Sequence, residues 1–309
     1  MSHATGPVIR VTGIRKTYGK TLAVDDVSFE VNDGEIFGLI GPNGAGKTTT
    51  MECVEGIRRP DSGSITLLGL DPIRDIYRLQ ERIGVQLQQA QLQKRIKVWE
   101  AMHLWASLYR KPTSAGEHLL DQLGLEEKRN AWFMTLSGGQ KQRLFIALAL
   151  INDPEVVFLD ELTTGLDPQA RRKIWDLVRG IRERGKTVFL TTHLMEEAER
   201  LCDRVAIMDH GRIIDIDEPQ RLVDKYCPER SVILSTADAN AAAGLERIPG
   251  VESVTRSGSR YTIRGVGDRL ITDVIRCVSD NHINVIDFRT ETPNLEDVFL
   301  KITGHSIRD

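Results

Sequence analysis

Residues 41–49, Gly-Pro-Asn-Gly-Ala-Gly-Lys-Thr-Thr, have the residue types and spacing of a phosphate-binding loop. Glycines permit positive φ and let backbone N–H groups approach an anion closely. Lys47 supplies a full positive charge for the β- and γ-phosphates, and Thr48 a hydroxyl for Mg²⁺. The alternative is an ordinary glycine turn, but the four fixed positions of the motif match by accident in only roughly one chain per hundred of this length. The residues expected to bind nucleotide here are Gly41, Pro42, Asn43, Gly44, Ala45, Gly46, Lys47, Thr48 and Thr49.

The residues on either side of this loop favour a strand before it and a helix after it. Residues 35–40 are mostly apolar and rich in branched side chains, as expected for a short buried strand. Residues 49–57 can form a helix, whose dipole adds partial positive charge at the loop. A phosphate-binding loop requires this strand–loop–helix order, so the flanking residues support nucleotide binding.

A second candidate site is the acidic pair Asp160-Glu161, at the end of the apolar residues 155–160. Such a run is typical of a central strand in a parallel sheet. A carboxylate at the end of that strand, near a phosphate-binding loop, can hold Mg²⁺ through its water shell. A second carboxylate beside it can orient or deprotonate an attacking water molecule. Acidic pairs also follow strands without any catalytic role, but the phosphate-binding loop favours the catalytic interpretation.

A third motif, Leu-Ser-Gly-Gly-Gln at residues 136–140, precedes residues 141–151, whose composition is typical of a mostly buried helix. A serine hydroxyl and free N–H groups at a helix start can bind an anion. Ser137 is equally suitable as an ordinary N-cap without a ligand. The spacing alone leaves both interpretations open.

Together these motifs resemble those of the ATP-binding cassette (ABC) family, over residues 8 to about 225. Residues 136–140 match the signature motif of that family in full, and the other motifs follow in the family's order. The resemblance implies an α/β fold, a P-loop NTPase of ABC type whose mixed sheet is joined by an antiparallel β-subdomain and a helical insert. It also implies an ATPase with ATP and Mg²⁺ as cofactors.

The resemblance assigns further roles by position. Tyr18, which by itself is better interpreted as a core residue, matches the aromatic residue that stacks on adenine. Gln88 matches the glutamine that contacts Mg²⁺ and the attacking water and faces the membrane subunit, with Gln86 and Gln89 close enough to compete for this assignment. The remaining roles implied by the family are metal binding for Thr48 and Asp160, and catalysis for Lys47, Glu161 and His193, the last at the γ-phosphate.

One position departs from the family pattern. Leu162 follows the acidic pair, where the family usually has proline. Proline would stiffen the loop through its fixed φ. Because no chemical group is lost, we expect slower or less coupled hydrolysis at most.

In ABC proteins the signature of one subunit closes on the phosphate-binding loop of another. This chain has one copy of each motif, so a closed site requires two chains. The resemblance thus implies a homodimer that forms on ATP binding, with residues 165–167 crossing the interface. The residues expected to contact nucleotide at this interface are Ser137, Gly138, Gly139, Gln140 and Asp167.

Composition is typical of a protein with an ordinary buried core. The 309 residues are 40% hydrophobic and 28% charged, and a formal net charge of −3 predicts no surface for nucleic acid. The longest unbroken apolar run, residues 144–151, is far shorter than a membrane span, and residues 1–7 lack a hydrophobic signal region. Four scattered cysteines show no metal-ligand spacing. We expect a cytoplasmic protein that is peripheral on the inner face of the membrane through a separate permease.

The chain is expected to contain two domains. Residues 1–225 are predicted to form the nucleotide-binding domain, with a helical insert at about 90–150, and residues 226–309 a small α+β accessory domain. The elements of the second domain follow the order βαββαβ of a ferredoxin-like fold. A final helix is expected to begin after the N-cap Asn294 and to stop at Gly304. The predicted elements are strands 231–236, 251–256, 260–265 and 283–289, and helices 239–247, 267–280 and 294–303.

The C-terminal residues favour one branch of the family. Residues 293–300, Pro-Asn-Leu-Glu-Asp-Val-Phe-Leu, resemble the tail of ATPase subunits from bacterial drug-export systems of the daunorubicin-resistance type. This resemblance implies an ATPase subunit that works with integral membrane permease subunits in the efflux of drugs or other amphipathic molecules. The alternatives are a soluble ABC ATPase that acts on ribosomes or DNA, and a regulatory protein that only binds nucleotide.

Overall fold

The computed structural model describes residues 6–86, 91–110, 115–238, 244–267 and 269–304. The chain divides into two compact units, with the division between Pro219 and Gln220. The sequence prediction puts a boundary slightly later, after residue 225, because residues 224–230 are polar. In the structure the first residues of that polar stretch, 224–226, belong to the helix Pro219–Tyr226. The residues of this helix from Gln220 onward are part of the second unit.

The first unit alternates strands and helices. Its strands are β1 (Ile9–Tyr18), β2 (Thr21–Val31), β3 (Ile36–Ile40), β4 (Ser62–Leu67), β5 (Ile83–Gln86), β6 (Val156–Asp160), β7 (Thr187–Thr192), β8 (Arg204–Asp209) and β9 (Arg212–Asp217). Its helices are α1 (Lys47–Val54), α2 (Ile76–Leu79), α3 (Val98–Ala106), α4 (Ala115–Gln122), α5 (Gly138–Ala149), α6 (Pro168–Glu183) and α7 (Met195–Leu201), with 3₁₀ turns at Glu126–Lys128 and Phe133–Thr135.

Six strands of this unit form one sheet in the order β5-β6-β7-β3-β8-β9. Its neighbouring strands are parallel except β8 and β9. β3, β6 and β7 are buried along their whole length, as expected for the mainly apolar sequences of β3 and β6, and β7 adds threonines at both of its ends. Ile40 pairs with Thr192, and Asp160 with Thr191, so the residues that end these three strands lie together at one edge of the sheet.

The antiparallel β-subdomain that the sequence predicts is confirmed. It is a three-stranded sheet in the order β2-β1-β4. Val27, Phe29 and Val31 of β2 are buried and alternate with exposed residues. Phe29 stacks on Phe37 of β3 with ring centroids 5.4 Å apart, so the two sheets share one hydrophobic core.

The elements described between β5 and β6 are helical, as expected for the insert. They comprise α3, α4, α5 and the two 3₁₀ turns. The last helix of the insert lies close against the sheet, because a side chain at Gly84 of β5 would overlap the carbonyl group of Ala149. The insert is thereby attached to the strand that carries Gln86.

The second unit contains a four-stranded antiparallel sheet in the order β11-β12-β10-β13, the strand order of the predicted ferredoxin-like arrangement. The helix predicted for 239–247 begins on residues 239–243, which lie outside the described residues. Asn294 caps the last helix as expected, since its Oδ1 accepts hydrogen bonds from two backbone N–H groups, and Gly304 ends that helix with φ +78°. The elements are α8 (Pro219–Tyr226), β10 (Glu229–Thr236), β11 (Val251–Ser257), β12 (Arg260–Val266), α9 (Leu270–Asp280), β13 (Val285–Glu291) and α10 (Leu295–Thr303).

Candidate nucleotide-binding site

The predicted phosphate-binding loop connects the end of β3 to the start of α1. Gly41, Gly44 and Gly46 all have positive φ, at 155°, 83° and 101°. A side chain at Gly41 would overlap the carbonyl oxygen of Met208, and one at Gly46 the carbonyl oxygen of Ala23. Glycine is therefore required at these two positions both by the backbone conformation and by the close packing of the loop.

Lys47 is the first residue of α1 and is only 4% exposed. Its Nζ donates hydrogen bonds to the carbonyl oxygens of Gly41 and Pro42, each at 2.9 Å. Burial lowers the pKa of Lys47, and the carboxylates of Glu161 and Asp160 oppose this shift. The N-cap residue is Gly46, which has no side chain to cap the helix. The start of α1 therefore offers an ammonium group and uncapped N–H groups to an anion.

Asp160 lies beside the phosphate-binding loop at the end of β6. The hydroxyl of Thr48 is 3.5 Å from Asp160 Oδ1, and the hydroxyl of Thr191 donates a hydrogen bond to the same oxygen. Burial raises the pKa of Asp160 despite these hydrogen bonds. A hydroxyl and a carboxylate are hard oxygen ligands, and Mg²⁺ prefers a few such ligands together with phosphate oxygens and water. The residues present therefore fit Mg²⁺.

Glu161 brings the other predicted catalytic residues together. Its Oε1 lies 3.4 Å from Nδ1 of His193 and 4.0 Å from Nζ of Lys47. Its φ is +46°, in the left-handed region that non-glycine residues rarely adopt. The structure thus places Lys47, Glu161 and His193 in one cluster, although they are far apart in the sequence.

The glutamine that was expected in this cluster, Gln88, lies outside the described residues, as does Gln89. Gln86, the third candidate, is the last residue of β5 and is buried. The choice between these glutamines stays a prediction.

The signature residues lie at the start of α5, where Ser137 and Gly138 are exposed and Leu136 is buried. The N–H of Gln140 donates to the hydroxyl oxygen of Ser137, and the N–H of Ser137 donates to the side chain of Gln140, which is a complete capping box. Ser137, Gly139 and Asp167 line a cleft of about 290 Å³. Among the described residues that line this cleft, none belongs to the phosphate-binding loop. Capping and anion binding are compatible here, because the Ser137 hydroxyl accepts in the capping box and still has a proton to donate.

Tyr18 ends β1 and is 39% exposed, so the interpretation of this residue as a core tyrosine is wrong. The guanidinium carbon of Arg58 lies 5.2 Å from its ring centroid, within the range of a cation–π contact. An exposed ring is available for stacking, as the adenine role requires.

Comparisons with known proteins show which family the chain resembles. The family model described as "ABC transporter" matches residues 24–164. The Nod factor export ATP-binding protein I of Ralstonia nicotianae is 38% identical over 98% of this chain and 96% of its own length. The linearmycin resistance ATP-binding protein LnrL of Bacillus subtilis is 33% identical over 98% of this chain and 100% of its own length.

The chain belongs to the ABC transporter family.

Solved structures of ABC cassettes agree with the fold of this ABC ATPase. The protein cbiO1 of Clostridium perfringens, part of an ABC transporter complex, has a TM-score of 0.64 and 28% identity over 72% of this chain and 96% of its own. A dimeric bacterial ABC transporter cassette has a TM-score of 0.60 and 27% identity over 68% of this chain and 98% of its own. The predicted P-loop NTPase fold of ABC type and the assignment as an ATP-binding ATPase are thereby confirmed.

Two of the side chains that sequence reasoning missed contact the acidic pair of this ABC ATPase. Thr191 bonds to Asp160, and the hydroxyl of Thr164 donates to Oε2 of Glu161 at 3.3 Å. The signal that could have found Thr191 is its polar side chain at the end of an apolar strand, next to the strand that carries the acidic pair. Thr164 has only its closeness to Glu161 in the sequence.

Proposed function

We propose that this ABC ATPase hydrolyses MgATP between two copies of the chain and thereby energises export through separate membrane subunits. The observation that carries the proposal is the cluster of Lys47, Glu161 and His193 beside Thr48 and Asp160. The relatives are named as ATP-binding proteins of an export system and of a resistance system, which supports export over a soluble ATPase acting on ribosomes or DNA. We propose drugs or other amphipathic molecules as the exported class.

Each part of the cluster has a separate task in this proposal. Lys47 and the N–H groups of the loop bind the β- and γ-phosphates. Thr48 and Asp160, together with Gln88, would hold Mg²⁺, which would neutralise phosphate charge. Glu161 accepts a proton from the attacking water as general base, with a carboxylate held beside the phosphate site by the left-handed turn of its backbone.

His193 is proposed to contact the γ-phosphate. Its Nδ1 makes no hydrogen bond in the described structure and lies 3.4 Å from Oε1 of Glu161, which supports a role beside the proposed base. Tyr18 is proposed to stack on adenine, because its ring is exposed at the end of β1.

The second half of the site is proposed to come from another copy of the chain. Ser137 and Gly138 are exposed, and Asp167 lines the same cleft from the start of α6. The Ser137 hydroxyl and the Gly139 backbone would donate to the γ-phosphate held by the partner's loop. ATP favours the closed pair of chains only to the extent that it binds this pair better than the separate chains. When hydrolysis removes the γ-phosphate, the pair reopens.

Membrane permease subunits are the proposed partners. Among the residues that the structure describes, no helix is long and apolar enough to cross a bilayer. We therefore propose that the export path belongs to other polypeptides, which hold this ATPase at the inner face of the cell membrane where ATP is supplied.

Residues 226–309 are proposed to act as an accessory domain in subunit contact or regulation. The second unit has a hydrophobic core of its own, which includes Val232, Tyr261 and Val274. Deleting residues 226–309 is expected to weaken assembly with the permease or transport itself. Unchanged assembly and transport after the deletion would rule this role out.

Replacement of Glu161 by glutamine tests the catalytic proposal. The amide keeps the shape of the side chain but cannot accept a proton, so ATP binding should persist while turnover falls about a thousandfold, or roughly 4 kcal/mol of barrier. The ATP-bound pair should then accumulate, as measured by size-exclusion chromatography with bound nucleotide. Glu196→Gln, at an exposed position on α7, is the matched control. Near-normal turnover by Glu161→Gln would contradict the assignment of the base.

A further inference from the structure

Glu197 is a buried carboxylate that has no role in the site described above. It lies in the first turn of α7, four residues after His193, and is 1% exposed. Burial of a charged group is unfavourable unless hydrogen bonds compensate for its lost hydration. The contacts of this side chain therefore show what it holds in place.

One oxygen of Glu197 connects three segments of the chain. Its Oε1 accepts a hydrogen bond from the hydroxyl of Thr163 at 2.8 Å and another from Nε1 of Trp175 at 3.0 Å. Thr163 belongs to the loop after β6, and Trp175 to α6. Both donors are buried, so water cannot replace the carboxylate as their acceptor.

The bond to Thr163 holds the chain where it leaves Glu161. Glu161 has a φ of +46°, a conformation that costs about 1–2 kcal/mol for a non-glycine residue and persists only when the surroundings hold it. Leu162 has no proline ring to stiffen the loop but is buried, and Thr163 follows directly. A hydrogen bond two residues after Glu161 is therefore well placed to maintain the left-handed turn.

Glu197 is at the same time attached to the segment that carries His193. α7 begins at Met195, two residues after His193, and Glu197 is the third residue of this helix. The Thr163–Glu197 hydrogen bond thus joins two segments that also meet at two other places. The N–H of Glu161 donates to the carbonyl oxygen of Thr191 at 3.1 Å, and His193 approaches Glu161 to 3.4 Å.

We propose that Glu197 is a positioning residue for ATP hydrolysis: through Thr163 it sets the placement of the Glu161 carboxylate relative to His193. The inference rests on the function proposed above. Glu197 touches neither nucleotide nor water in this proposal; it acts only through the two loops. Because a displacement of about 1 Å at a reacting group can lower a rate about a hundredfold, loss of this hydrogen bond should act on turnover.

The test is the substitution Thr163→Val, which removes the hydroxyl and keeps the branched shape. In the full-length chain with MgATP, kcat should fall about 10–100-fold, the range expected for a misplaced catalytic group. The KM for ATP should stay within about threefold, because the phosphate-binding loop is unchanged. Thr163→Ser, which restores the hydroxyl, should recover most of kcat.

Trp175→Phe is the matched control, since it removes the other donor to the same oxygen without touching the loop after Glu161. Its kcat should stay within about threefold of wild type, whatever its effect on the melting temperature. In a double-mutant cycle, Thr163→Val combined with Glu197→Ala should be no slower than the slower single variant, because the hydroxyl and the carboxylate act as one unit.

Three outcomes would overturn the inference: Thr163→Val turning over at a near wild-type rate, Trp175→Phe slowing hydrolysis as much as Thr163→Val, or a double variant whose two losses multiply. The second of these would mean that the carboxylate only stabilises the fold. None of them bears on the Glu161→Gln experiment, so failure of this inference and failure of the proposed catalytic base can be told apart.

Discussion

Two helices of the first unit begin with glycine-rich motifs, but their N-termini are built differently. α1 follows the phosphate-binding loop with Gly46 as its N-cap, and Lys47 at its first position is buried. α5 follows Ser137, whose hydroxyl oxygen and N–H are both engaged by Gln140 in a capping box, and Ser137 is exposed. The start of α1 has no side-chain cap and carries a buried lysine, whereas the start of α5 has a capping box and faces solvent.

This difference indicates how the two motifs divide the work. A loop with a buried ammonium group and uncapped N–H groups can hold phosphate with the residues of a single chain. An exposed, capped helix start offers mainly a serine hydroxyl and close backbone approach, which suffice only when a second chain presents the nucleotide. Substitutions at the start of α1 should therefore weaken nucleotide binding by a single chain. Substitutions at the start of α5 should affect only the ATP-bound pair of chains.

The largest effect is expected from Lys47→Ala. It removes the charge that faces the β- and γ-phosphates, so ATP binding by the single chain should weaken strongly and turnover should fall at least about a thousandfold, or roughly 4 kcal/mol. Nucleotide binding is measured by calorimetry, with the exposed Lys20→Ala as the control. If the ATP affinity of Lys47→Ala is close to that of the control, the proposed difference between α1 and α5 is wrong, because nucleotide binding at α1 would then not depend on Lys47.

A smaller effect is expected from Ser137→Ala. Loss of one hydrogen bond to a charged phosphate costs about 1.5–3 kcal/mol, so turnover should fall about 10–100-fold. ATP binding by the single chain should be unchanged, while the ATP-bound pair formed in a Glu161→Gln background should dissociate more readily in sedimentation experiments. Ser64→Ala, at an exposed position of β4, is the control. If Ser137→Ala weakens nucleotide binding by the separate chains, the division of work between α1 and α5 is wrong.

Gln140→Ala should have a still smaller effect, and mainly on stability. It removes one half of the capping box of α5, and capping contributes about 1 kcal/mol to the free energy of unfolding. Chemical denaturation measures this loss, and turnover should change less than about tenfold, the equivalent of 1.4 kcal/mol. An unchanged free energy of unfolding would mean that the capping box does not stabilise α5, and that the N-termini of α5 and α1 do not differ in this respect.

The smallest effect is expected for the reactivity of a cysteine thiol in α1. Burial raises the pKa of the Cys53 thiol to about 11, from an ordinary value of 9.0. At pH 8 the thiolate, which is the reactive form, is therefore about a hundredfold scarcer than in an ordinary thiol. Iodoacetamide should label Cys53 at pH 8 only after unfolding, as detected by mass spectrometry. Rapid labelling of the folded chain would show that α1 is not enclosed.

Local motifs account for what could be predicted. The phosphate-binding loop, the capping role of Ser137 and the cap and stop of the last helix each depend on residues a few positions apart. Tyr18 by itself is better interpreted as a core residue, and only the family resemblance assigns it to adenine. Whether its strand ends at a surface is decided by the neighbouring strands and not by its own sequence.

The sequence by itself determined the chemistry: which groups could bind phosphate, hold Mg²⁺ and accept a proton, since these depend on residue type and short spacing. The tertiary structure alone decided their distances. The order β6-β7-β3 brings the ends of strands more than a hundred residues apart to one edge of the sheet. The bond from Glu197 to Thr163 likewise joins residues 34 positions apart. Such contacts follow from which strands and helices pack together, and no local pattern encodes that choice.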